Sequence, residues 1–375
     1  MKSTAVKTLL CMGMGGLSTT ALAAAINLAG IGYVQYGDAQ SYSLPIACMQ
    51  IGQPYNSCVF NIDSTPGQIK DLIVLATGAS GNPVNQNFAG MDDAYPMPSG
   101  KKGSNFMQTG GVTVGSNTYP QPDPGSSFGP FTGQQSTTWD ATLAALKDFL
   151  DGDQLVVFFN NNQEKSLGTA AESLAAWAQV KVTGPTGLIG VFDFSNMGGQ
   201  YKLVSEGGGG VFMGDVTTYT STGSGPTYDP LTGATDYVLS GGAICVSTST
   251  PIPVPVPCNN TPGTVGPIDH NLGADHAAYA LVFPELNALL DSLFALPDLT
   301  GYAIHVDFRL GCDPTLFGTD PDAEICSGKI SGWGKNLNNG YEQIFVGRLA
   351  RQVPEPLTLA LLGAGLAAFG VMRRR

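Results

Sequence analysis

Tyr302-Ala303-Ile304-His305-Val306-Asp307-Phe308-Arg309-Leu310 is the stretch on which the fold turns, because its even positions are all apolar while His305, Asp307 and Arg309 share the odd ones. Successive strand side chains point to opposite faces, so this alternation predicts a β-strand with one face in a core and one polar face. The same reading extends outward. Leu174-Ala175-Ala176-Trp177-Ala178-Gln179-Val180-Lys181-Val182 is a second half-buried strand, and Leu188 to Phe194 is its hairpin partner across Gly184-Pro185-Thr186-Gly187. The pair has the pattern of a sandwich or jelly-roll edge. Leu155 to Phe159 is wholly apolar, as a strand buried on both faces would be, and runs into the turn-forming Asn160-Asn161-Asn162. Shorter strands are expected at Tyr33 to Tyr36, Cys58 to Ile62, Asp71 to Ala76, Gly111 to Val114 and Tyr341 to Val346.

Two helices interrupt this pattern. Trp139, Leu143, Leu146 and Leu150 recur at helical spacing, with Thr137 or Thr138 placed as N-cap and Gly152 past the end. Pro284 opens the second, with Leu286, Leu289, Leu290 and Leu293 on one face and Pro297 just beyond. Fifty glycines and 25 prolines divide the rest into short segments, as in a turn-rich β protein. Gly207 to Gly210 and Thr217 to Gly233 read as surface loops, and the alternating prolines of Pro251 to Pro257 force an extended chain. The expected fold is therefore mainly β with two short accessory helices, a disulfide-stapled sandwich or jelly-roll-like body over residues 24–350, with a candidate subdomain break near 131–137.

Charge and cysteine content narrow the function. Residues 24–353 carry 12 basic and 28 acidic side chains, and the longest basic run is Lys101-Lys102. Nucleic-acid binding needs clustered cations to displace counterions, so this balance argues against it. Cys11 lies in the N-terminal segment described below; the remaining six are Cys48, Cys58, Cys245, Cys258, Cys312 and Cys326. In an exported chain an even number reads as disulfides, and the spacing suggests the local pairs 48 with 58, 245 with 258 and 312 with 326. Zinc is disfavoured because no pair has C-x(2 to 4)-C spacing.

Four constellations bear on chemistry. His305, Asp307 and Arg309 fall on one strand face, where an imidazole beside a carboxylate is the arrangement of an oriented general base, although a surface ion pair is the commoner outcome and no nucleophile is visible. Asp269-His270-Asn271-Leu272-Gly273-Ala274-Asp275-His276 gathers two of the three histidines with two carboxylates, but Asp275 also suits the cap of a helix starting at Ala277. Gly125-Ser126-Ser127-Phe128-Gly129 matches G-x-S-x-G in letters alone, since Pro124 and Pro130 exclude the strand and helix of a nucleophile elbow. Asp320, Asp322 and Glu324 offer oxygens for calcium without an EF-hand pattern, so no cofactor is expected. A metal-dependent enzyme or secreted hydrolase would draw on Asp269, His270, His276, His305 and Asp307. A carbohydrate-binding module would instead align Trp139, Trp177, Trp333 or Tyr341 on one exposed face.

The two ends are more specific. Lys2 and Lys7 precede an uncharged stretch from Thr8 to Leu22 that closes on Ala21-Leu22-Ala23, the form of a secretory signal helix cut after Ala23 or, second, after Ala25. At the other end, residues 353–375 comprise Val353-Pro354-Glu355-Pro356, sixteen uncharged residues from Leu357 to Met372, and Arg373-Arg374-Arg375. The apolar run is short for a transmembrane helix but fits with local thinning or snorkelling, and the triple arginine is expected on the cytoplasmic side.

This tail resembles that of the PEP-CTERM family of exported bacterial proteins, part for part: Pro354-Glu355-Pro356, a hydrophobic helix and a basic end. The resemblance implies recognition by an exosortase that cuts near the motif, and transfer from a membrane-anchored intermediate to the cell surface or an exopolysaccharide matrix. The body is similar to an uncharacterised group carrying the same tail, through Asp307-Phe308-Arg309-Leu310-Gly311-Cys312 and Asn339-Gly340-Tyr341-Glu342-Gln343-Ile344-Phe345. The expected role is structural or binding, not enzymatic, with signal peptidase, an exosortase, the membrane and exopolysaccharide as partners.

Overall fold

The computed structural model describes residues 25–54, 57–63, 72–78, 85, 88–97, 106–110, 113–114, 117–118, 131–161, 174–195, 200–203, 208–210, 238–240, 244–249, 253–257, 263–268, 270, 272, 276–311, 337 and 342–351. The signal segment, the sorting tail, Cys258, Cys312, Cys326, Asp269, the Asp320 to Glu324 loop, Trp333 and Tyr341 lie outside them.

Twenty strands, numbered in chain order, and three helices are present among the described residues. Sheet one contains β1 (Tyr33–Tyr36), β2 (Ala39–Ser43), β3 (Ile73–Thr77), β4 (Tyr95–Pro96), β9 (Gln154–Asn160), β12 (Gln200–Leu203), β13 (Gly208–Gly210), β18 (Tyr279–Val282) and β20 (Gln343–Leu349). Their order is β13-β12-β1-β2-β18-β9-β20-β3-β4, antiparallel throughout except for β3 with β4. Sheet two contains β5 (Met107–Gln108), β8 (Trp139–Thr142), β10 (Leu174–Gly184), β11 (Gly187–Phe194), β14 (Val238–Ser240) and β19 (Ala303–Leu310). Its order is β11-β10-β19-β5, with β14 joining β10 and β8 joining β19. A small sheet holds β15 (Ile244–Ser247), β16 (Val254–Pro257) and β17 (Thr264–Ile268), and a two-stranded ribbon holds β6 (Thr113–Val114) and β7 (Asn117–Thr118). The helices are α1 (Leu44–Gln50), α2 (Leu143–Leu150) and α3 (Pro284–Phe294).

The apolar run of β9 finds its reason in two cores. Leu155 and Phe159 turn to one side, where Ile344 and Val346 of sheet one share a cluster with Val180, Ile304 and Phe308 of sheet two, roofed by Leu146 of α2 and Leu290 of α3. Val156 and Phe158 turn to the other, against Phe345, Leu44, Cys48, Phe60 and Ile26. The Cys48 to Cys58 disulfide staples this second side, and Cys245 is also disulfide-bonded. Strands from both sides of residues 131–137 interleave in sheet one, so that segment is a connection within one body.

Several local expectations are corrected. A third helix is present among the described residues, since Ser43 accepts the Ile46 N–H and Pro45 occupies the first turn, starting α1 within a segment too short to show a period. Cys58 to Ile62 forms turns, not a strand. Trp139 belongs to β8; α2 begins only at Leu143, with Thr142 as the cap that receives the Ala145 N–H. Gly208 to Gly210, expected as loop, pairs with β12. The proline-bearing β16 is an edge strand, where missing amide donors cost least.

Phe345 is fully buried, with its ring 5.5 Å from that of Phe158. Phe345→Ala should cost about 3–5 kcal/mol, read as a lower urea midpoint of the exported protein with an unchanged slope.

Candidate functional site

β19 runs between β10 and β8, and its even-numbered residues enter the shared core as expected. The odd-numbered face is not solvent-exposed at its centre, for His305 has 0% of its surface accessible. Residues 131–138 lie across it. A Cβ on Gly133, whose φ is +100°, would stand 2.9 Å from the Ala303 Cβ, so only glycine lets the loop come this close.

His305 faces Asp140 on β8 and Lys181 on β10 in register. Its Nδ1 is 2.8 Å from Asp140 Oδ1, and its Nε2 is 2.7 Å from the Thr183 hydroxyl. Asp140 is also fully buried; it receives the Thr138 hydroxyl at 2.5 Å and the Gln135 amide N–H. A carboxylate that accepts from all sides requires a proton on Nδ1, which leaves the Nε2 lone pair to accept from Thr183, and the tautomer is assigned on that network.

A second carboxyl backs the first. The Asp140 N–H donates to Asp92 Oδ2 at 3.0 Å, and Gln134 Nε2 donates to Asp92 Oδ1 at 3.0 Å. The Asp92 carbonyl receives Asn85 Nδ2 at 3.0 Å and Trp139 Nε1 at 3.3 Å. Burial, and then the nearby charge of Asp140, push Asp92 up to about 7.

The other proposed site residues separate. Asp307 does not pair with His305; it accepts from the Thr109 hydroxyl and lies 3.6 Å from Arg309 Nη2, while burial pushes its carboxyl above the usual range. Arg309 in turn sits 5.0 Å over the Trp177 ring. His270 is sealed elsewhere, with Nε2 2.7 Å from the Ser43 hydroxyl and its ring stacked on Tyr279, and burial lowers it to about 4, which keeps it neutral. His276 makes a partly exposed pair with Asp63, Nδ1 to Oδ1 3.6 Å. Ala277 leads into β18 rather than a helix, since Ala277 and Ala280 are needed in the second core. Among the described residues no three His, Cys, Asp or Glu gather as metal ligands. Trp139 and Trp177 are buried, at 1% and 3% exposure, so neither offers a sugar-stacking face.

Asp92, Asp140 and Thr183 were not expected, because nothing in a one-dimensional pattern links positions more than a hundred residues apart. Glu342 is a further buried carboxyl whose oxygens have no hydrogen-bond partner among the described residues, and burial raises it to about 8.

A β-rich body with a sealed polar interior, followed by a processing signal, is the class of protein so defined. The chain belongs to the family described as a domain of unknown function (DUF8239), matched over residues 26–309, and residues 352–375 match the PEP-CTERM protein-sorting motif. That motif implies export, a membrane-anchored stage and processing by an exosortase. No curated protein and no solved structure matches the chain.

Because the folded protein holds a proton on Asp92 that the unfolded chain has already released, this group favours folding at low pH, and the benefit fades as pH rises from about 4 to about 7. Asp92→Asn keeps an acceptor for the Asp140 N–H, and a turned Gln134 amide can meet the new NH2. Relative to the parent, the variant should gain about 1–3 kcal/mol across that window, measured by urea unfolding at a series of pH values.

Proposed function

We propose that this is a protein of the bacterial cell surface or extracellular matrix whose body acts by structure or binding rather than by catalysis. In this reading signal peptidase removes residues 1–23, the run from Leu357 to Met372 holds the chain in the membrane with Arg373 to Arg375 as its stop, and an exosortase acts at Pro354-Glu355-Pro356. The body then resides among exopolysaccharide or neighbouring surface proteins, and needs no cofactor.

The observation that carries the non-catalytic part is the complete burial of His305. A general acid must hand a proton to a departing group, and no departing group can approach an imidazole edge that a water molecule does not reach. The neutral, equally enclosed His270 supports the same view. The separate partners of His270, His276 and His305 speak against a shared centre of the kind a metal-dependent hydrolase would require.

Cell fractionation tests the display half. Truncation before Pro354 should release the body into the medium, and replacement of Pro354, Glu355 and Pro356 by alanine should leave uncut chain in the membrane. Membrane retention of the truncated protein would sink this reading.

A further inference from the structure

Asp140, His305 and Thr183 form an acid-base-hydroxyl relay with contacts of 2.8 Å and 2.7 Å, and of the three only Thr183 is not fully buried. The hydroxyl stands at the irregular end of the hairpin. Thr183 pairs with Leu188, and the register slips so that Ile189 is the extra residue on β11. Leu188, directly across from Thr183, and Val191, across from Lys181, are 62% and 39% exposed, so uncovered apolar surface lies on the same strand pair as the hydroxyl. A buried histidine needs only a fixed partner at each nitrogen, which any donor in the core could supply; here the donor is a half-buried alcohol next to uncovered apolar surface.

The geometry points to Thr183 as an acyl acceptor, a hydroxyl prepared by His305 and Asp140 to take an acyl group from an activated donor, a thioester or an acyl phosphate. The Thr183 oxygen attacks the acyl carbon while its proton passes to His305 Nε2. The carbon-sulfur bond of a thioester, or the bond to phosphate oxygen, breaks, and the thiolate or phosphate departs as an anion that requires no proton. His305 is left doubly protonated against the Asp140 carboxylate. Asp140 is a positioning residue, since it fixes the tautomer that frees Nε2.

The same seal that prevents turnover makes the product persist. Hydrolysis of the ester would need a water held by Nε2, and the 0% exposure of His305 leaves no place for one. One acyl group per chain, retained, is therefore the expected end state, with Leu188 supporting its chain. This goes beyond the display role and is compatible with a body that does not turn over substrate.

Incubation of the full exported protein with an octanoyl thioester, followed by intact-mass and fragment mass spectrometry, tests it. The expected result is a single octanoyl adduct on Thr183 that plateaus at one per chain. Thr183→Ser should keep both the adduct and the thermal midpoint, whereas Thr183→Val should abolish the adduct and lower the midpoint, because His305 Nε2 then loses its partner. Asp140→Asn, which inverts the hydrogen-bonding role opposite Nδ1, should slow acylation by at least about 10-fold. No adduct, or an adduct that survives in Thr183→Val, overturns the acceptor assignment and leaves the display reading standing. Continuous release of octanoate dependent on Thr183 overturns both the retained ester and the non-catalytic reading.

Discussion

The burial of an imidazole at the centre of β19 is the constraint from which much of the surrounding structure follows. A fully enclosed polar group must be satisfied at each polar atom or cost about 1–3 kcal/mol for every one left unmet. His305 answers with Asp140 on one nitrogen and Thr183 on the other. The demand then moves outward. Asp140 brings a carboxylate into the same dry space, so Thr138 and the Gln135 amide must be held against it, and the loop carrying them can lie flat only because position 133 has no side chain. Asp92 accepts the Asp140 N–H, Asn85 clasps the Asp92 carbonyl, and the Asn85 amide closes on both polar backbone groups of Val74 in β3. A chain of polar contacts thus runs from the middle of sheet two to sheet one, beside the apolar core the sheets share. Such networks specify one arrangement more sharply than they stabilise it, because any alternative pairing strands a buried donor or acceptor.

This division explains what could be read from sequence. β10, β19 and α3 are long and periodic, β9 is an unbroken apolar run and β11 follows β10 across a turn signal, so their residues announce them. β8 and α1 are not legible in the same way. Trp139 sits at helical spacing from Leu143, yet the backbone from Trp139 to Thr142 is drawn into strand geometry by pairing with β19, a contact across more than 160 residues. The polar alternation of His305, Asp307 and Arg309 was legible as a face, but its fate was not. Whether such a face meets water or a covering loop depends on residues 131–138, which carry no periodic signal. Asp140 reads by spacing as a first-turn helix acid, and only pairing in space makes it the partner of His305.

Four of the buried or largely buried titratable groups shift toward neutrality. Burial pushes Asp92, Asp307 and Glu342 upward and His270 downward, each toward its uncharged form. The sequence nevertheless carries 28 acidic against 12 basic side chains over residues 24–353. A net negative charge of that kind disperses a protein, because like-charged copies repel where no specific contact intervenes.

The position of the tail relative to the fold carries the display argument one step further. The last described residues are clamped: Arg348 bonds Asp153 at 2.6 Å, and Arg351 forms a paired contact with Asp291. Ile26 donates to the Arg348 carbonyl at 2.9 Å and Ala350 donates to the Ile26 carbonyl at 2.8 Å, so the start and end of the body are laced together. The Pro-Glu-Pro motif begins three residues beyond Arg351, which brings the processing enzyme close against the body. Any pull exerted through the tail enters along β20, which is paired on one side with β9 and on the other with β3. Load along an interior strand is resisted by both ladders of hydrogen bonds sheared together, rather than broken one after another as at a free edge. The join between body and tail therefore runs through an interior strand, and that placement does not depend on any chemistry in the interior of the body.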